Sequence, residues 1–136
     1  MANGIYDVFK DDLFNALADL EGDTIKCALY NNSFSFTATQ VTYFTTNELS
    51  TENGYTQGGE ALTNKAVSGA STVKWTADPT QWTATDAGFT AYFALVYDTT
   101  NANHCICCID FGGAKTASGG GTFTITWSGD GILDIS

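Results

Sequence analysis

The chain has 136 residues, enough for one domain that buries a core without help from a disulfide or a metal. Five basic residues stand against fifteen acidic ones, a net charge of −10. This argues against nucleic acid and anionic membranes as partners, because both are held through Lys and Arg.

The first element is a predicted amphipathic helix over 5–20. Ile5, Phe9, Leu13, Leu17 and Leu20 recur at steps of four, four, four and three. Gly22 follows as the expected stop. Everything afterwards reads as strand. In 24–30 the residues alternate, with Ile25, Cys27 and Leu29 on one face. A polar stretch over 31–53 is too long for a simple turn, and such loops are usually functional or ordered by a partner. Val41, Tyr43, Phe44 and Leu49 within it, and Tyr55 just beyond, are its candidate anchors for a partner interface.

Further strands are expected over 62–67 and 72–76, near Trp82, and over 89–97, 105–111 and 122–127. The segment 89–97 carries apolar side chains on both faces, which marks a central strand covered on both sides. One helix followed only by strands and Gly, Asn, Asp and Ser turns predicts a mostly β protein. The expected form is an antiparallel β-sandwich or jelly roll with one short N-terminal helix, as a single domain over 1–136. Trp75, Trp82 and Trp127 fall at strand positions that suit a core.

No catalytic constellation stands out. His104 is the only histidine, and no nucleophile motif accompanies it. The run His104-Cys105-Ile106-Cys107-Cys108 offers zinc-type ligands, with Cys27 as a distant fourth. On a regular strand Cys105 and Cys107 would share one face and Cys108 would take the other. The weaker metal candidates are therefore His104, Cys105 and Cys107, beside the alternatives of a disulfide or of four buried thiols. Gly119-Gly120-Gly121 lacks the Lys of a phosphate loop, and Gly129-Asp130-Gly131 lacks calcium-loop spacing. No cofactor is expected. With neither a basic and apolar leader nor a membrane-length apolar run, synthesis in a cytoplasm is expected, with the thiols initially reduced.

Several segments in fixed order carry a resemblance. They are Gly54-Tyr55-Thr56-Gln57-Gly58-Gly59 continuing through Leu62, Asn64 and Lys65, then Phe93-Ala94-Leu95-Val96-Tyr97, Asp110-Phe111-Gly112-Gly113 and Thr122-Phe123-Thr124-Ile125-Thr126-Trp127. This order resembles small virion proteins of tailed bacteriophages, of the capsid cement or decoration type, over nearly the whole chain. The resemblance implies a sandwich or jelly roll on the outer capsid surface, made in the host bacterial cytoplasm. It implies that the protein bridges copies of the major capsid protein, self-associates as a dimer or trimer, and carries no catalytic residue. The Cys-rich strand departs from that pattern. The competing readings are a phage tail or fibre accessory, a carbohydrate-binding module that would line a groove with Trp or Tyr, and a small hydrolase built on His104.

Overall fold

A computed structural model describes residues 1–136. The protein is mostly β, with antiparallel sheets and one short helix. In chain order the elements are β1 (Gly4–Ile5), α1 (Asp7–Phe14), β2 (Ile25–Tyr30), β3 (Glu60–Ala61), β4 (Ala66–Gly69) and β5 (Val73–Thr76). They continue with β6 (Thr80–Thr83), β7 (Phe89–Asp98), β8 (His104–Ala117), β9 (Thr122–Ile125) and β10 (Leu133–Ile135). The main sheet has the order β1-β8-β7-β2-β3, with β7 in the middle as its two-faced apolar pattern demands. Two smaller sheets, β10-β5-β4 and β6-β9, complete the strands. This division of five, three and two departs from the eight strands in two sheets of a jelly roll.

One face of the main sheet carries Ile25, Cys27, Leu29, Val96, Ile106 and Ile109, packed in a single core with Trp75, Trp82, Phe123, Trp127 and Leu133 of the smaller sheets and their flanks. The opposite face carries Ala28, Tyr30, Leu95 and Tyr97, and no sheet covers it. The segment 31–49 covers it instead. Phe34 stacks near Tyr30 and Phe93, each 5.0 Å away between ring centroids, and Tyr43 lies 4.4 Å from Tyr97 with nearly parallel rings. Backbone bonds fasten this cover at its end and near its middle: Leu49 N–H to Leu29 O, and Cys105 N–H to Val41 O. The long polar stretch thus packs on its own chain's sheet.

A buried carboxylate pins this cover down. Glu48 accepts hydrogen bonds from the Tyr43 hydroxyl, from the Tyr55 hydroxyl at 2.7 Å and from Gly58 N–H at 2.7 Å. The Tyr55 oxygen in turn accepts Leu29 N–H at 2.9 Å. These three donors compensate the buried carboxylate, which is the condition for it to sit inside without a large penalty. The Gly-Tyr-x-x-Gly-Gly segment is therefore a structural clasp. Gly59 has φ +74, and a Cβ there would stand 1.8 Å from the Cys27 carbonyl oxygen, so only glycine fits.

The helix is shorter than its apolar spacing predicts. It ends at Phe14 because Ala16 turns left-handed at φ 56. Ala16 N–H bonds Leu13 O and Leu17 N–H bonds Asp12 O, the paired bonds of a Schellman stop. Gly22 lies beyond, in a separate turn whose N–H groups bond the Asp19 carboxylate. Of the predicted stripe only Phe9 is fully buried. Leu20 packs on the core from that later turn, while Ile5, Leu13 and Leu17 remain 38–54% exposed. The left-handed alanine is a removable cost. Ala16→Gly should stabilise the fold by about 0.5–1 kcal/mol, read as a higher urea midpoint with unchanged slope.

Candidate interaction surface

The sequence-predicted chemistry disperses once the strands are in register. Val96 pairs with Cys107 and Tyr97 with Cys105, leaving Ile106 as an extra residue in β8. This bulge turns Ile106 and Cys107 toward the larger core, and leaves Cys105 and Cys108 on the opposite face. The expectation that Cys105 and Cys107 share a face is overturned by that one residue. Cys27 lies two strands from Cys107, separated by Val96. All four are free thiols, and no three His, Cys, Asp or Glu side chains converge as a ligand set.

His104 opens β8 and directs Nδ1 to the Asp12 carboxylate, 2.8 Å away. Asp12 is buried, so this pair ties α1 to the corner between β7 and β8. Its other neighbour is the Asn101 amide at 3.4 Å. A hydrolase needs such a pair to open into a pocket, and none of the three cavities includes His104. The carbohydrate reading needs exposed aromatic rings, but Trp75, Trp82 and Trp127 are all buried.

The five predicted anchors differ in exposure. Tyr55 is buried in the Glu48 clasp, and Tyr43, Phe44 and Leu49 are half-buried against the cores. Val41 alone stays exposed, at 47%. The sticky surface lies elsewhere. Phe14, at the end of α1, is 93% exposed, and Leu17 and Ile135 are exposed at 54% and 66%. Between α1 and the β10-β5-β4 sheet runs an apolar groove of about 310 Å³. Ile5, Leu13, Val67, Val73 and Ile135 line its mouth, above Phe9 and Trp75. Lys10 and Lys74 border it. The turn at 16–17 creates this surface by ending the helix before Leu17 can fold down. The signal was present in the sequence as the same apolar stripe, but the periodicity assigned it to the core.

Comparison of the chain with protein-family models, with curated proteins and with solved structures found no match.

Asp98 and the four buried thiols remain outside these surfaces. The Asp98 Oδ1 accepts Thr100 and Asn101 N–H, while Oδ2 has no partner of normal geometry and the Asp23 carboxyl faces the group. Burial, with the Asp23 contact second, pushes the Asp98 carboxyl from 3.8 up to about 6. A raised carboxyl binds its proton more tightly in the folded state. Its contribution is therefore favourable at low pH and is lost as pH rises from 3.8 to about 6. Asp98→Asn keeps both accepted N–H bonds, and should raise stability at about pH 7 by roughly 1–3 kcal/mol. Chemical unfolding near pH 4 should show the gain gone. The thiols give a second prediction. Burial pushes Cys105 up to about 12 and Cys108 up to about 11, and raises Cys27 and Cys107 well above the usual thiol range. Ellman's reagent at about pH 8 should modify none of the four within minutes in the native protein, and all four in guanidinium.

Proposed function

We propose that this protein is a structural virion component of the capsid cement type, bound to the outside of a phage head and acting by adhesion rather than chemistry. The observation that carries the reading is the exposed apolar surface around Phe14, on a chain whose other aromatic anchors are spent on its own fold. A ring held 93% in water costs the isolated protein solubility and gains it nothing. Such a ring suits a side chain that meets another protein. The order of the Gly-Tyr-x-x-Gly-Gly, Phe-Ala-Leu-Val-Tyr and Asp-Phe-Gly segments supports the cement type in particular. The charge of −10 also suits a place outside a shell filled with DNA, away from the polyanion. Cement function needs only a modest interface per copy. Linked attachment on a closed shell raises the effective affinity by roughly 10²–10⁴.

The test is direct. Purified protein is mixed with expanded shells of the major capsid protein of the phage that encodes it, and the shells are sedimented. Saturable co-sedimentation at a fixed copy number per shell, with a higher shell melting temperature, is the expected outcome. Shells that pellet alone and melt unchanged would sink the reading. Decoration of tails rather than heads would shift it to the tail accessory class.

A further inference from the structure

We infer that the corner where β2 begins and β7 ends binds a hard divalent cation of the calcium type, held between the carboxylates of Asp23 and Asp98. The inference does not rest on the adhesive reading.

The starting observation is a buried oxygen without a partner. Asp98 is 2% exposed, and its Oδ2 is sealed from solvent and accepts no hydrogen bond. Its Oδ1 is satisfied by the N–H groups of Thr100 at 3.0 Å and Asn101 at 3.1 Å. A carboxylate buried in this way is normally hydrogen-bonded throughout, paired, or bound to a metal. Here a second carboxylate, that of Asp23, faces it. Asp23 has the same division of labour. Its Oδ2 accepts the Asp19 N–H at 2.8 Å, which leaves Oδ1 as the oxygen for a ligand. Each side chain thus has one oxygen anchored to backbone and one free, and the two free oxygens carry like charge.

The chain supplies no cation of its own to this corner. None of its ion pairs includes Asp23 or Asp98. His104 stands opposite Asp98 in the β7–β8 register but gives Nδ1 to Asp12 at 2.8 Å. Ile25 is the register partner of Asp98, so Lys26 points to the opposite face of the sheet.

The two carboxylates are also held in place before any ligand arrives. Thr24 donates its N–H to the Thr100 hydroxyl at 2.9 Å, and its carbonyl accepts the Thr99 N–H at 2.9 Å and the Thr99 hydroxyl at 2.6 Å. The repulsion is therefore built into the fold, and a cation that relieves it has little ordering cost to meet. The donors on offer are carboxylate and hydroxyl oxygens, the set that suits calcium, which completes its shell with water. Zinc and copper prefer thiolate and imidazole, which are committed elsewhere. Asp23 is half-buried, and Thr24 and Thr100 are exposed, so the corner is reached from solvent. No local spacing announces the pair, because the β2–β7 register creates it.

Thermal unfolding of chelator-treated protein tests the inference, with calcium chloride as the probe and at about pH 7.5, above the ordinary carboxylate range. The expected result is a saturable rise in melting temperature of roughly 3–8 °C, with a midpoint on the order of 10⁻⁴–10⁻³ M. Sodium chloride at matched ionic strength only screens the acidic chain, and should give a smaller change that does not saturate. Asp98→Asn and Asp23→Asn should each abolish the saturable rise. Both keep an oxygen for the N–H groups they accept, and in chelator Asp98→Asn should melt above the native protein, so a lost response is not a lost fold. In amide NMR the N–H signals of Asp19, Thr100 and Asn101, which donate to the two carboxylates, should move with the same midpoint. No rise beyond that in sodium chloride, a rise of equal size in Asp98→Asn, or shifts confined to other amides would overturn the proposal. The first of these outcomes would assign the space between the carboxylates to a shared proton.

Discussion

Strand β7 carries apolar side chains on both faces, and a strand of that kind is stable only if both faces are kept from water. The rest of the molecule follows from this demand. On one side the smaller sheets supply the tryptophans and Phe123. On the other no strands remain, and an irregular segment must do the work of a second layer. Irregular chain makes a poor cover unless its backbone groups and its position are fixed. Glu48 supplies the fixing. Its carboxylate gathers donors from the cover (Tyr43) and from the glycine-rich turn (Tyr55 and Gly58), and Tyr55 links it to β2. A charge that would be costly alone becomes the hub that orders about twenty residues of loop.

The same demand explains why the sequence spoke clearly about some elements and not about others. Alternation in β2 and the unbroken apolar run of β7 report burial directly, and both strands lie where the pattern puts them. The two-residue strand at Gly4–Ile5 carries no periodicity at all. It exists because β8 presents a free edge to it. The β8 bulge is equally silent, since nothing in Cys-Ile-Cys-Cys announces that one residue will be skipped in pairing. That omission was enough to misassign a thiol's face. The helix failed for another reason. A stripe at 3.6-residue spacing says which side chains would align if the helix continued, not whether it does. A left-handed Ala16 is an uncommon stop that composition does not signal.

The candidate surface was legible only as residues, not as a surface. Leu13 and Leu17 were visible as apolar positions, and their exposure became apparent only once the turn at Ala16 was placed. The loop aromatics carry a second role the sequence did not announce. Tyr43 and Phe44 sit in a polar stretch, and that stretch is itself a lid on the sheet. Apolar residues in long loops thus divide between those that hold the loop down and those that reach outward. Sequence alone does not sort them, because both kinds satisfy the same composition.

The bulge in β8 has one more consequence. By setting Cys107 on one side of the main sheet and Cys105 and Cys108 on the other, it puts a layer of hydrogen-bonded backbone between thiols that are close neighbours in the chain. A fold that uses cysteine only as a small apolar filler holds together equally well on either side of a cell envelope. Its durability is decoupled from the redox potential of its surroundings. It needs no oxidative maturation step, and it has no bond for a reductant to cut.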